Sequence, residues 1–597
     1  MKNSIEQIFV SFCRITAICL CAAAVIVGVC GNTAPQEPEP PVPPDPPEEF
    51  VFKPISVKNG RLVYDDGQEV ALFGTNYYPM SYTQYSNMKQ LRANFDEEIR
   101  QDVTDMKACG IQVVRVHVFG SEFSRGDGTL VNDEHLRLLD RLVYELDRQG
   151  LYFFCTPIAY FSSVNCSRMG LMFREDAIAA QEKFIGQLLN HTNPYTGRQL
   201  KDEPCFGFME IQNEPFYFAY NHTTIEQVPE WMKSGITEYV TTDLSIWRGL
   251  WSAYHGGSIL VNNSIGYQNF MEERMTIYLD RMMKAIRGTG AKQPVAAALF
   301  ETTGGQHPGL VRAISKSAVE AVTDGWYPGG FEQLNEETNQ LGINELQAYD
   351  LDPLLSQKAR MVYEFDIFRT YNNVTAYPLM IRRYRSVGAQ VVCNFQYDAR
   401  ITARQNTDWG GHYLNREVTP AKTVAFNICS QLMKSIPMYE KYTRQTDNIV
   451  FHNTAISYSN DKQAMYVTND MVLHAKSTMS WQPLTLPANP KFIMGRGDSQ
   501  YVKYSGSGYY TVTTKPDNTI HLYVSRNAEL NAPVSYGFFD DGSINKIKVE
   551  LTTTTEIFTL LLPGWDNFKC VRNENEQVAV SNRSFTVIPG SEYVLTK

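Results

Sequence analysis

Eight short apolar runs, each followed sooner or later by an amphipathic helical pattern, occupy the middle of this 597-residue chain. They leave few folds open. The runs are ALFGTNYYP, IQVVRVHVF, LYFFCTPIAYF, CFGFMEIQNEP, PVAAALFETTGG, AVTDGWYP, ARMVYEFDIF and AQVVCNFQYD. Each is apolar on both faces, as a parallel strand must be when one side meets a barrel core and the other meets helices. Between them lie stretches of helical period such as FDEEIRQDVTDMKACG, DEHLRLLDRLVYELDRQG and, after the last run, AKTVAFNICSQLMKSI. Eight alternations over roughly 370 residues predict an α/β fold, a (β/α)8 TIM barrel with insertions. A doubly wound sheet also alternates, but no glycine-rich phosphate loop follows the first run. The segment 216–266 is long, aromatic-rich and irregular, and reads as an insertion or lid on the rim.

The flanks differ in kind. Residues 1–30 have Lys2 and Arg14 before a continuous apolar run that ends at Cys30, the pattern of a secretion signal. VGVCGN resembles the lipobox of bacterial lipoproteins with Cys30 as the lipidated residue, although Val27 stands where Leu is usual; ordinary cleavage near Ala22–Ala24 or Gly28 is the alternative. Residues 31–50 hold eight prolines between Pro35 and Pro47, an extended stalk rather than a core. The barrel is expected over 51–438, opened by a hairpin around Asp65-Asp66-Gly67 that plugs its floor. From 439 to 597 short Thr-, Val- and Tyr-rich strands separated by turns predict a β-sandwich, in one unit or in two with a break near Gly542. No cysteine pair has CxxC spacing, so a zinc site is not expected; Cys166 and Cys205 are a candidate disulfide. With 54 basic and 64 acidic residues and no basic run, nucleic acid is excluded as a partner, and the 12% aromatic content suits flat ligands such as sugar rings.

The fourth run stops abruptly at Asn213-Glu214-Pro215, which puts an acid on the carboxyl-terminal rim where such barrels carry their chemistry. Glycoside cleavage needs one carboxyl to protonate the leaving oxygen and a second to attack or to activate water. Glu364, in the seventh run, is the expected partner, across the mouth from Glu214. Glu301, at the end of the fifth run, is its rival. Glu210 shares the parity of Glu214 but lies deeper, as a buried structural acid.

YTGRQLKDEPCFGFMEIQNEP with the later YEF resembles clan A glycoside hydrolases, especially family 5 and its mannanase-like members, over about residues 57–435. The resemblance implies a retaining double displacement on a β-linked oligo- or polysaccharide, with Glu364 as nucleophile and Glu214 as acid/base. It also implies substrate-binding roles for Asn213, Arg115 and Tyr327; His117, two residues beyond Arg115 on the same strand face, and Asn76, at the end of the first run on the same rim, join them by position. Asn213 matches the residue that bonds the sugar 2-hydroxyl, and Arg115 the arginine that keeps the nucleophile ionised. Tyr327 matches the tyrosine that contacts the nucleophile. Two positions depart from the pattern. The strand-eight tryptophan is replaced by Phe395 or Tyr397, and the usual His-x-Tyr of strand six reads Gly-Trp-Tyr with Trp326 in the middle. Mannan or glucan is favoured by this likeness. A β-galactosidase-type exo-enzyme of the same clan is one alternative, and a non-catalytic glycan-binding lipoprotein is another. No metal or organic cofactor is expected. The expected location is the bacterial cell envelope, as an outer-membrane lipoprotein held to the membrane by its lipid and facing external or periplasmic glycan.

Overall fold

A computed structural model describes residues 50–159, 161, 164–233, 237–255, 264–299, 308–327, 351–367, 370–405, 412–445, 447–460, 462–478, 481–531 and 548–597. The signal, Cys30, the stalk, Glu301 and the expected break near Gly542 lie outside these residues.

The chain enters through a pair of antiparallel strands, β1 (Ile55–Lys58) and β2 (Arg61–Tyr64). Their reversal is at Asn59-Gly60, both with positive φ, as a tight hairpin requires. The expected turn at Asp65–Gly67 is a second, shorter reversal closed by a single bridge between Val63 and Glu69. Together they seal the barrel floor. Gln390 bonds the backbone of Leu62 in both directions and also the carbonyl of Val70. Ile55, Leu62 and Val70 pack on Val113, Phe154, Phe208 and Met361 from the barrel interior.

Eight parallel strands close the barrel: β3 (Leu72–Asn76), β4 (Val113–Phe119), β5 (Tyr152–Ala159), β6 (Phe206–Glu210), β7 (Val295–Ala298), β8 (Ala321–Trp326), β9 (Ala359–Phe365) and β10 (Ala389–Asn394). β10 returns to pair with β3. Every residue of these strands is buried, which is why the eight runs are apolar throughout and not alternating. The helices between them begin and end where their sequences say. Asn94 and Asp133 cap two of them with their side chains, and Gly150 ends the second in the left-handed conformation.

The insertion is more ordered than its sequence suggested. Thr237–Tyr254 is an 18-residue helix, and the next helix starts at Ser264 rather than near Met271. Val240, Leu244, Trp247 and Trp251 recur at helical spacing and are buried, with Trp247 and Trp251 against Phe270. Phe216 and Phe218 are buried within this layer, whereas Tyr220 is exposed.

After the last barrel helix, Pro420–Ser435, a ten-stranded sheet begins at Ile449. One face (Ile449, Phe451, Ile456, Leu473) joins the barrel's core. The other (Val472, Ile493, Val512, Leu522) packs on Phe558, Leu560, Phe585 and Val587 of a four-stranded sheet. This is a sandwich with one layer fixed to the barrel. Arg416 ties the two parts, bonding Asp105 at 2.9 Å and the Tyr509 hydroxyl at 2.7 Å. The seven described cysteines are buried and free, Cys166 and Cys205 included.

One buried group makes this sandwich sensitive to acid. His474 Nδ1 meets the Lys476 carbonyl at 2.9 Å, and Nε2 lies 3.0 Å from the Tyr510 hydroxyl, which also donates to the Gly497 carbonyl at 3.1 Å. Burial pulls its pKa from 6.5 down to about 4. The unfolded chain therefore takes up this proton at a higher pH than the folded one does. Stability present above pH 6.5 is lost as the pH falls toward 4, by ~3 kcal/mol at most. In calorimetric melting across that window, His474→Gln should flatten the descent; an unaltered slope would remove His474 as its source.

Candidate active site

The mouth of the barrel is organised by one buried guanidinium. Arg115 is on β4, with its side chain wholly inside. Nη1 donates to Asn76 Oδ1 and to Glu364 Oε1, both at 2.9 Å. Nη2 donates to Asn213 Oδ1 at 2.8 Å and to Glu210. Burial alone would depress its pKa, but Glu210 and Glu364 outweigh burial and hold it above the ordinary arginine value. Glu210 is held in turn by the hydroxyls of Thr156, at 3.0 Å, and Thr323. It is the buried structural acid its position implied. The amide of Asn76 donates to the carbonyls of Tyr363 and Asn394.

Glu364 reaches this cluster through a break in strand alternation. On β9, Met361 faces the barrel interior while Val362 faces the helices. Strict alternation would turn Tyr363 inward and Glu364 outward. The pairing slips between Asp324↔Val362 and Gly325↔Glu364, and again on the β10 side, so Tyr363 is an extra residue. This β-bulge lets Tyr363 and Glu364 both point inward and returns Phe365 to the helix layer, against Tyr384. Arg115 lies over the Tyr363 ring at 4.7 Å. The second oxygen of Glu364 accepts from Tyr327 at 2.8 Å.

Glu214 is aimed by a different device. Regular pairing of β6 ends at Glu210, four residues earlier than the apolar run suggested. The chain continues through Asn213, whose N–H bonds the Ile158 carbonyl, to Glu214 in the left-handed region at φ 39°. A non-glycine residue pays about 1–2 kcal/mol for that backbone. Arg168, in the loop after β5, donates to the Glu214 carbonyl at 2.7 Å and to its Oε2 at 3.2 Å.

Tyr327 feels both carboxylates, though it bonds only Glu364 among the described contacts. Burial pushes its phenol well above the ordinary value, and both Glu364 and Glu214 push further in the same direction. His117 is buried two residues beyond Arg115, with Nε2 accepting from that guanidinium and standing 3.3 Å from Glu364 Oε1. Burial and the arginine charge drive its pKa far down, so the ring is neutral, with its proton on Nδ1. Its face stacks on Tyr78 at 5.2 Å and 15°, and Phe395 lies 6.3 Å away.

The structure thus brings Glu214, Glu364, Asn213, His117, Tyr327 and Phe395 to one mouth. Four expected substrate contacts are placed otherwise. Arg115 and Asn76 lie beneath the carboxylates, with both terminal nitrogens of the guanidinium and both ends of the Asn76 amide committed to the cluster, so they brace it. Trp326 alternates outward, because Thr323 on the same strand faces Glu210, and it packs edge-on against Tyr384 in the helix layer. Tyr397 is fully buried against Tyr77, its hydroxyl accepting from Asn415. Three residues at the site had not been singled out. Tyr78 follows strand one directly. His412 is 5.1 Å from the Tyr327 ring and bonds Asp366 at 3.0 Å, and Arg168 lies in a loop. Only Tyr78, in the rim sequence NYYP, carried a signal that reading could have used.

No family model matches the chain. No curated protein matches it either. Among solved structures it is similar to an endo-1,4-β-mannanase from Rhizomucor miehei, with 15% identity, 64% of this chain and 99% of that one covered, and a TM-score of 0.44. It is similar to the endo-β-1,4-mannanase from Thermotoga petrophila at 11% identity, covering 83% and 95%, with a TM-score of 0.41. For a glycoside hydrolase family 5 mannosidase from Rhizomucor miehei the values are 12%, 65%, 100% and 0.39.

Proposed function

We propose that the protein is a retaining β-glycoside hydrolase. The observation that carries this is Glu364 on β9, held by Arg115 and Tyr327 at the mouth, with a second acid, Glu214, just beyond β6 on the same rim and held by Arg168. Both oxygens of Glu364 take a donor, from Arg115 and Tyr327, which fixes the carboxylate for attack on an anomeric carbon. Glu214 is the more exposed of the two, with 17% of its side chain accessible against 6%, as a group that must meet the leaving oxygen and then water requires.

In the first step Glu364 bonds the anomeric carbon while Glu214 gives its proton to the departing glycosidic oxygen. In the second, Glu214 takes a proton from water, which attacks the same carbon and frees Glu364. Asn213 spends its Oδ1 on Arg115, so its NH2 end is the one turned from the guanidinium and suited to a sugar hydroxyl. His117, Tyr78 and Phe395 form an aromatic wall beside it. The residues shared with mannanase-like enzymes put β-mannan and β-glucan first among substrates, and β-galactosides next.

The test is hydrolysis of a panel of aryl β-glycosides and β-linked polysaccharides, with Glu214→Gln beside the wild type. Removal of the acid should cost about 10²–10⁴-fold on substrates with poor leaving groups and far less on dinitrophenyl glycosides, which depart without a proton. Added azide should rescue the variant and yield a β-glycosyl azide. Equal losses on both kinds of substrate would take Glu214 out of this role. Binding of a glycan with no turnover by the wild type would leave a binding protein.

A further inference from the structure

We propose that Arg168 is a positioning residue for Glu214 and that the rim insertion exists in part to hold it there; this rests on the reading of Glu214 as acid/base. Arg168 does three things at once. It bonds the Glu214 carboxylate at 3.2 Å, it bonds the backbone carbonyl of the same residue at 2.7 Å, and its guanidinium lies 3.8 Å above the ring of Phe216. A single side chain therefore fixes the left-handed backbone, the carboxylate and the chain just after it. Both bonds leave from one nitrogen, Nη2, while the planar guanidinium also stacks on Phe216, a combination a lysine ammonium does not reproduce.

The loop carrying Arg168 is itself anchored from outside the barrel. Asp243, in the helix Thr237–Tyr254, is fully buried. Its Oδ2 accepts from the N–H of Ser167 at 2.6 Å and its Oδ1 from Arg174 at 3.1 Å. The loop sits so close that a Cβ on Gly170 would lie 2.3 Å from Asp243 Oδ2. A continuous run of contacts thus links the insertion helix to Asp243, then to the loop, Arg168 and the acid/base.

The groups around Glu214 are Arg168 from the loop after β5, His117 from β4, Tyr327 after β8 and Glu364 from β9. His117 is neutral and Tyr327 keeps its proton; among the described residues, the cation shown paired with Glu214 is Arg168. A cation there favours the ionised acid/base and lowers the pH above which the first step fails. The experiment compares Arg168→Met, Arg168→Lys and Asp243→Asn with the wild type. It uses phenyl and dinitrophenyl glycosides of whichever panel sugar is hydrolysed. In Arg168→Met the alkaline limb of kcat/KM on the phenyl glycoside should rise by on the order of one pH unit. Its plateau should fall ~10-fold or more, as misplacement of a reacting group does. The dinitrophenyl glycoside should hardly change. Arg168→Lys should restore the limb but not the plateau, and Asp243→Asn should lower the plateau with the limb in place. An unmoved limb in Arg168→Met, with both substrates slowed alike, would make Arg168 merely structural. Should the Met variant fail to fold, an unaltered plateau in the Lys variant would overturn the proposal equally. If Glu214→Gln, with Arg168 intact, showed no leaving-group dependence, the acid/base reading would fall first and separately. A wild type that hydrolyses no panel glycoside would overturn both.

Discussion

Glu364→Gln should lose activity by on the order of 10⁴-fold or more, about 5.5 kcal/mol of transition-state stabilisation, and should melt close to the wild type. The amide keeps the shape; its oxygen can still accept from Arg115, while its NH2 can donate to the Tyr327 oxygen. It removes one negative charge from a cluster that otherwise carries two carboxylates around one guanidinium. What is lost is the capacity to form the covalent intermediate. The smaller variant Glu364→Gly, given azide and an activated glycoside, should return an α-glycosyl azide, the opposite anomer from the one expected of the acid/base variant. That pair of products separates the two carboxylates by role and not only by loss. Activity that survives in Glu364→Gln would move the nucleophile to Glu301.

Arg115→Met should be the most damaging substitution for the fold. Glu210 and Glu364 are both nearly or wholly buried and both lean on this guanidinium. Removing one partner of a buried pair leaves an uncompensated charge and costs 3–5 kcal/mol. In a chain of this size that is about a 2–4 °C fall in melting temperature. Activity should fall with it, since Asn213, Asn76 and Glu364 lose their common donor. The double variant Arg115→Met/Glu210→Gln should recover a good part of the melting temperature and none of the activity, because it removes one stranded carboxylate but does not restore the donor. A single variant that melts within a degree of the wild type would show that the barrel takes both acids unpaired at no cost, and the role given to Arg115 would be wrong.

Much of the site was legible in the residues. Asn213-Glu214-Pro215 closing an apolar run marked one carboxylate, and YEF in the seventh run marked the other. Arg115 and His117, two apart, had to share a strand face. Glu210 was placed by parity alone as a buried acid. Trp326 and Tyr397 show where such reading stops. Both stand next to rim positions in sequence, and each is turned into packing by one step of strand or loop geometry, Trp326 toward Tyr384 and Tyr397 toward Tyr77. The helix in the insertion was hidden because its buried positions include two tryptophans within a run full of other aromatics, which blurred the period.

The sequence by itself determined the order of the eight barrel strands and of the helices between them outside the insertion, because each run had to be apolar on two faces and each helix on one. It determined the barrel floor as well, since a hairpin with Leu62 and Val70 has no other apolar surface so near in the chain. Only the tertiary structure decided where the acids point. Alternation along β9 would have sent Glu364 toward the helices; the bulge at Tyr363 turns it into the mouth, and that extra residue is set by pairing with β8 and β10 together. Likewise Glu214 faces inward through a left-handed residue braced by Arg168, 46 positions away. Periodicity reports the average direction of side chains along a strand. The site sits where two strands depart from that average, and such departures are fixed by contacts from elsewhere in the chain.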